Sequence, residues 1–250
     1  MKIAITGGNG FLASAIADKL QDKHDITAIY RSGEVSDKVK HICADITDKI
    51  ALYNALKGFD IIINTAANKY VDRCEQTPTE AINNNIIGAQ NVLEVACAYG
   101  IKVIHISTDK AVKPNSVYGA SKLIAERLAL YGYATVVRLC NLKGSTGSII
   151  PKFKRLAAQG LPIVVHGKEV SRYMIDVKKA VEIIERAIES DFRGKILVPK
   201  AELVNIYELA KSISDEITLD ELPAQENVTE ELMSPKEKET AAEYDWGYVV

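Results

Sequence analysis

The sequence predicts an α/β fold, a doubly wound parallel sheet followed by a small C-terminal cap. Three observations lead there. Short apolar runs alternate along the first 140 residues with segments of helical period, the pattern of strands joined by crossover helices. The runs Ile61-Ile62-Ile63 and Val103-Ile104-His105-Ile106 are nearly continuous in apolar residues, as strands covered on both faces must be. With 250 residues, 47% hydrophobic and 26% charged, the chain can bury one substantial core but not two large domains.

Taken in order, residues 2–6, 26–30, 39–43, 60–64, 102–106 and 134–139 read as strands. Helices are expected over 10–22, 47–57, 79–99 and 116–131, where apolar residues recur at helical spacing. After Asn141 the pattern loosens into a helix at 148–159, a strand at 163–165, a helix at 177–190, a strand at 195–198 and a helix at 205–214. Residues 215–245, with two prolines and many acids, show the weakest periodicity, and no structure is assigned to them.

The net charge is −2, so no basic excess points to nucleic acid. The distribution is uneven. Between Asp215 and Asp245 lie 11 acids and two lysines, net −9, which leaves 22 acids and 29 bases, net +7, for residues 1–214. A body of that sign suits an anionic small molecule, although an ordinary solvated surface with an acidic tail explains the same numbers. Cys43, Cys74, Cys97 and Cys140 form no C-x-x-C pair and share no ligand-like spacing with the four histidines, so neither a disulfide scaffold nor a metal site is expected. The N-terminal Met-Lys-Ile-Ala-Ile-Thr reaches glycine at Gly7 without an apolar stretch suited to a signal peptide or membrane span, and a cytoplasmic protein is expected.

The first strand runs into Thr6-Gly7-Gly8-Asn9-Gly10-Phe11-Leu12-Ala13 and then directly into a helix with apolar Phe11, Ile16 and Leu20. Glycines here allow a tight turn and let backbone N–H groups approach a pyrophosphate, with Gly7, Gly10, Phe11 and Leu12 nearest to it, and small Ala13 lets the helix sit close to the sheet. Strand, glycine turn and helix in this order make a Rossmann-like dinucleotide site, so 1–145 reads as the cofactor-binding domain and 146–250 as a substrate-binding cap interleaved with the last part of the sheet. The second strand ends in Tyr30-Arg31-Ser32 where an acidic residue would select NAD. Arg31 and Ser32 suit a 2'-phosphate, so NADP is favoured. Asp45 and Ile46 are placed beside the adenine, and Ala66 and Ala67 beside the pyrophosphate.

At the end of the fifth strand stands Ser107-Thr108-Asp109-Lys110, and Tyr118-Gly119-Ala120-Ser121-Lys122 opens the next helix. Four residues apart, Tyr118 and Lys122 share a helix face, so the ammonium is expected to lower the phenol pKa and hold a nicotinamide ribose. Such a tyrosine can take a proton from a sugar hydroxyl as hydride leaves the same carbon.

These motifs resemble the extended short-chain dehydrogenase/reductases, and within them the inverting UDP-N-acetylglucosamine 4,6-dehydratases of polysaccharide biosynthesis. The resemblance is carried by Ser107-Thr108-Asp109-Lys110-Ala111 with Pro114 and Asn115, by Tyr118-Gly119-Ala120-Ser121-Lys122, and by Val137-Arg138-Leu139-Cys140-Asn141 with Gly144, Ser145, Gly147 and Ser148. Gly194-Lys195-Ile196-Leu197-Val198-Pro199-Lys200 adds to it, and Asn85 matches the family's helix asparagine near the cofactor. It implies oxidation of a nucleotide sugar at C4, loss of the acidified C5 proton with the C6 hydroxyl, and reduction at C6, so that the cofactor is recycled. Tyr118 would serve the C4 hydroxyl, Lys110 would be the base at C5, Asp109 the acid for the departing hydroxyl, and Thr108 would hydrogen-bond the C4 oxygen. Asp109 and Lys110 would then need pKa values moved toward neutrality. The resemblance also places Asn141 and Arg172 near the diphosphate and Lys69 near the sugar, and implies a homodimer or larger homo-oligomer paired through helices 79–99 and 116–131. A 4-epimerase, a 4-keto reductase and a non-catalytic NADP-binding regulator remain open on the same scaffold. Relatives carry Gly-Glu-Lys-x-His-Glu in a longer C-terminal region, where this sequence reads Gln225-Glu226-Asn227-Val228-Thr229-Glu230 and lacks the lysine and histidine.

Overall fold

A computed structural model describes residues 1–33, 38–145 and 148–250, so Gly147 lies outside the described residues. The chain begins β1 (Lys2–Thr6), α1 (Phe11–Leu20), β2 (Asp25–Tyr30), β3 (Lys40–Cys43), α2 (Lys49–Ala55) and β4 (Ile61–Asn64). It continues through α3 (Val71–Gln76), α4 (Pro78–Ala81), a π-helical turn (Ile82–Ile87), α5 (Gly88–Tyr99) and β5 (Lys102–Thr108). A 3-10 turn (Asp109–Ala111) leads to α6 (Val117–Tyr131), β6 (Thr135–Leu139) and β7 (Asn141–Lys143). Then come α7 (Ile149–Ala158), β8 (Ile163–His166), β9 (Ser171–Asp176), α8 (Val177–Glu189), β10 (Ile196–Pro199) and β11 (Glu202–Asn205). The last elements are α9 (Ile206–Lys211), β12 (Ile217–Asp220), α10 (Pro235–Thr240), β13 (Ala242–Tyr244) and β14 (Gly247–Val249).

Among the described residues the main sheet has the order β13-β14-β10-β6-β5-β4-β1-β2-β3, parallel from β10 to β3 and closed at one edge by antiparallel β14 and β13. The expectation of a doubly wound parallel sheet is met. Ile61, Ile62, Ile63 and Ile104 are all within 3% of complete burial, because helices cover both faces. On one face α1 and α8 pack with Ile16, Leu20, Ile183 and Ile184 in the core. On the other, α2, α5 and α6 contribute Leu52, Val92, Val95 and Ala129. Burial at i, i+3, i+4 and i+7 from Ala180 to Ala187 explains why α8 forms where the sequence pattern expects it. Asp48 caps α2 by accepting from the N–H groups of Ile50 and Ala51, and Ser116 caps α6 by accepting from Gly119 N–H.

The chain leaves the main sheet at Cys140. A three-stranded sheet β11-β9-β7 and a two-stranded sheet β12-β8 lie outside it, with a third core of Phe153, Ile163, Val165, Met174 and Ile206. From 146 onward the elements divide between these small sheets and the main one, which takes α8, β10, β13 and β14.

Residues 215–245 correct the sequence reading, which assigned them no structure. They hold β12, paired in parallel with β8, then α10 and β13. Their order comes from long-range polar contacts rather than from an apolar period. Glu237 on α10 makes a two-armed ion pair with buried Arg138 of β6, at 2.9 and 3.0 Å.

Candidate active site

The strand order reverses about β1, with β2 on one side and β4 on the other, and a cleft opens beyond the carboxyl ends of the strands there. Gly7 leaves β1 at φ +68°, and a Cβ on it would stand 2.9 Å from the Ala66 Cα. Glycine thus lets the turn after β1 and the loop after β4 touch. Gly10 N–H donates to the Gly7 carbonyl at 2.8 Å, and Gly10 precedes α1 without a side-chain cap. The first N–H groups of α1 are left to an outside acceptor, which favours an anion.

The cleft has a volume of about 560 Å³, in the range of small-molecule sites. Gly7, Gly10, Phe11 and Leu12 line it from the first turn, Arg31 and Ser32 from the end of β2, and Asp45 and Ile46 from the end of β3. Ala66, Ala67 and Lys69 line it from the loop after β4, and Asn141 from β7. The Arg31 guanidinium stands 3.7 Å from the Asp45 carboxylate and 3.4 Å from the Asn84 amide oxygen. The Asn9 amide donates to the Ser32 carbonyl at 2.8 Å and ties the two turns together. Burial lowers the pKa of the Lys69 ammonium. The Asn141 amide donates to the Tyr173 carbonyl at 2.9 Å.

Thr108, Asp109, Lys110, Tyr118 and Lys122 line the same cleft. The short turn after β5 packs directly under α6: a Cβ on Gly119 would come within 2.5 Å of the Lys110 carbonyl oxygen. Asp109 is 1% exposed. Its Oδ1 accepts from Thr108 Oγ1 and from Lys110 N–H, both at 2.9 Å, and lies 3.5 Å from Lys110 Nζ. Its Oδ2 is buried without a partner among the described residues, in a wall of the cleft. A carboxyl oxygen so placed is suited to a group that enters the cleft.

The expected lowering of the Tyr118 phenol by Lys122 is not what the structure shows. Burial and the Asp109 charge raise the phenol above its ordinary range, and a hydrogen bond with Thr108 only partly opposes them. The physical reason is direction: Lys122 Nζ turns into the sheet and donates to the Ile106 carbonyl at 2.6 Å. Burial brings this ammonium down to about 8, against the opposing pull of Glu126.

Two residues expected in the site stand outside the lining. Asn85, on the π-helical turn, is buried behind the cleft wall; its amide oxygen accepts from Asn68 N–H at 2.7 Å and its nitrogen donates to Asn68 O and Ser121 Oγ. It braces the loop after β4 against α6. Arg172, expected near the diphosphate, is 5% exposed and spent within the protein. It donates to the carbonyls of Ser171, Asn227 and Val228 and reaches the Glu226 carboxylate at 2.6 Å. Two neighbours of Asp109 and Lys110 escaped the sequence reading. Cys140 lines the cleft, and burial with the Asp109 charge pushes its thiol up to about 12, so it stands protonated. Its position next to Asn141 was the available signal. Glu230 comes within 3.6 Å of Lys110 Nζ from a distant segment, and its match to the last Glu of the relatives' C-terminal motif was the available signal.

Residues 16–250 match the family described as polysaccharide biosynthesis protein. The chain belongs to the polysaccharide biosynthesis protein family. Among its relatives, an inverting UDP-N-acetylglucosamine 4,6-dehydratase of Campylobacter jejuni is 33% identical over 86% of this chain and 72% of the relative. A UDP-glucose 4-epimerase of Rickettsia canadensis is 31% identical over 85% and 70%. A protein of Methanocaldococcus jannaschii described as an uncharacterized membrane protein is 32% identical over 86% and 71%. No helix among the described residues here is long and apolar enough to cross a membrane. Among solved structures, Pen from Bacillus thuringiensis superposes with a TM-score of 0.92 at 28% identity, over all of this chain and 87% of that one. A dTDP-glucose 4,6-dehydratase from Streptomyces venezuelae with NAD bound shares the fold at a TM-score of 0.84 and 21% identity, over 96% of this chain and 90% of that one. This chain thus has the short-chain dehydrogenase/reductase type of fold that its motifs resemble.

Proposed function

We propose that the chain is a nucleotide-sugar 4,6-dehydratase that acts on UDP-N-acetylglucosamine with inversion at C5 and uses recycled NADP. The turn at Thr108, Asp109 and Lys110 carries this reading. It offers an unpartnered carboxyl oxygen and, 3.5 Å from the other oxygen, an ammonium, in a cleft shared with a phenol. Exchange at C4 alone needs the phenol and has no use for the acid–amine pair. The Campylobacter relative's name supports the same chemistry and stereochemistry.

The glycine turn and the start of α1 fit a dinucleotide, a reading supported by a structural neighbour with NAD bound, and Arg31 with Ser32 favours one carrying a 2'-phosphate. Bound there, NADP supplies a reversible hydride acceptor. Tyr118 takes the proton of the C4 hydroxyl while Thr108 holds the C4 oxygen. Because its surroundings raise the phenol, Tyr118 gives up its own proton only when a positive charge approaches it in the cleft. Lys110 in its neutral form removes the C5 proton. Asp109 in its acid form delivers a proton to the C6 hydroxyl, and water departs. Exposed Ile82, Ile87, Ile124 and Tyr131 on the π-helical turn and α6 support a homodimer paired through these helices.

The test is incubation with UDP-N-acetylglucosamine, followed by mass. Loss of water is the expected result. A changed C4 configuration at constant mass would favour the 4-epimerase named by the Rickettsia relative, and a gain of two hydrogens by a keto-sugar with NADPH would indicate a reductase. Tyr118→Phe is expected to abolish turnover and leave NADP bound; normal turnover in that variant would refute the assignment.

A further inference from the structure

Lys110 is held from two sides. Asp109 approaches its ammonium at 3.5 Å from the same turn, and Glu230 approaches at 3.6 Å from the C-terminal segment. Glu230 is 3% exposed and lies outside the cleft lining, so a molecule in the cleft meets Lys110 and not Glu230. We propose that Glu230 is a positioning residue for Lys110, one that fixes the direction of the amine and keeps a negative charge beside it from behind the active site. The proposal rests on the reading of Lys110 as the group that acts at C5.

The segment that carries Glu230 is built to deliver it. Ser171 N–H donates to the Val228 carbonyl at 2.9 Å, and the Arg172 guanidinium donates to the carbonyls of Asn227 and Val228 at 2.9 and 3.1 Å. Asn227 then turns its amide toward the site, donating to the Lys113 carbonyl at 3.3 Å and to Glu230 Oε2 at 2.9 Å. One carboxylate oxygen is thereby anchored and the other left for Lys110. A carboxylate this buried is tolerated because both oxygens face positive or donating groups. This also gives Arg172 its place: it holds the segment rather than a ligand.

Among the described residues, the titratable groups beside the Lys110 amine are Asp109 from its own turn, Glu230 from the C-terminal segment and the Cys140 thiol after β6. Of these, only Glu230 is both charged and out of reach of the cleft. Removing Glu230 takes one of the two negative charges away from the amine while the cleft lining stays as it is.

The test compares Glu230→Gln, an isostere that can still accept from Asn227, and Glu230→Asp, which keeps the charge but withdraws it, with the unaltered chain. Lys110 is titrated by NMR in protein carrying 13C-labelled lysine, with its signal assigned by Lys110→Met. The expected midpoint in Glu230→Gln lies below that of the unaltered chain, with Glu230→Asp between. The rising limb of kcat/KM for UDP-N-acetylglucosamine should move down with it. Unmoved midpoints overturn the proposal, including the case where Glu230→Gln merely loses stability or amplitude. Should the unaltered enzyme turn over no nucleotide sugar, the functional reading fails, while the Lys110 titration still decides the role of Glu230.

Discussion

Replacing Glu237 by Gln tests whether the C-terminal region is held by a buried ion pair or only rests on the sheet. Arg138 is 1% exposed and divides its guanidinium between Glu126, fully buried on α6, and Glu237 on α10. Burial alone would raise the Glu237 carboxyl, yet Arg138 and the Ser234 N–H hold it at about 2, against 4.5 for the ordinary group. At about 1.4 kcal/mol per unit, that depression is worth about 3 kcal/mol at pH 7. Losing one partner of a buried pair costs about 3–5 kcal/mol, which agrees in size. Since the folded pKa is depressed, the stabilisation is complete above pH 4.5 and drains away as the pH falls toward 2. Urea unfolding of the two proteins from pH 7 to pH 3 measures it. The expected gap is about 3 kcal/mol at pH 7, nearly the same at pH 5, and about half as large at pH 3. A gap below about 0.5 kcal/mol at pH 7, or one that does not shrink on acidification, would refute the reasoning.

Gly119→Ala is expected to push the Lys110 turn away from α6, because its Cβ meets the Lys110 carbonyl at 2.5 Å. Destabilisation of about 1–3 kcal/mol in urea and a fall in kcat with cofactor affinity retained are the expected results. Arg31→Ala should weaken binding of NADP about tenfold or more and leave NAD little changed, as calorimetry would register; equal losses would show that Arg31 does not read the 2'-phosphate. Asn85→Ala removes three hydrogen bonds, orphans the Asn68 N–H and leaves the Asn68 carbonyl to the weak Cys74 thiol donor at 3.6 Å. The expected cost is about 2–3 kcal/mol, with loss of hydrogen-exchange protection at the Asn68 amide.

The parallel strands were legible because a strand covered on both faces has no polar positions to spare, as Ile61 to Ile63 show. The cleft residues were legible for a related reason. Glycine turn, Thr108 to Lys110, and Tyr118 with Lys122 are all local patterns at strand ends, and the fold brings strand ends together. What failed was direction and distance. Helical spacing put Lys122 on the same face as Tyr118 but could not say that its ammonium would be drawn to the Ile106 carbonyl. The motif gave Asn85 a helix but not the π-helical turn, Ile82–Ile87, that carries it behind the wall. In β9, alternation with Arg172 at a buried position hides a strand, because the charge is satisfied by carbonyls and a carboxylate 54 residues away.

The same long reach changes the meaning of the charge imbalance. A net +7 body and a net −9 tail suggested either an attractor for an anionic ligand or a solvated acidic segment. The structure spends much of both on each other. Glu226, Glu230, Glu231, Glu237 and Glu243 of the tail pair with Arg172, Lys110, Lys113, Arg138 and Lys200 of the body. Three of those body cations, Arg138, Arg172 and Lys110, are buried or nearly so, and ion pairs there are little screened by salt. The acidic tail therefore works as the internal counterion of the fold. The cations that a ligand meets are those that line the cleft, Arg31 and Lys69 among them, and the attraction of an anionic substrate depends on their placement rather than on the total charge of the body.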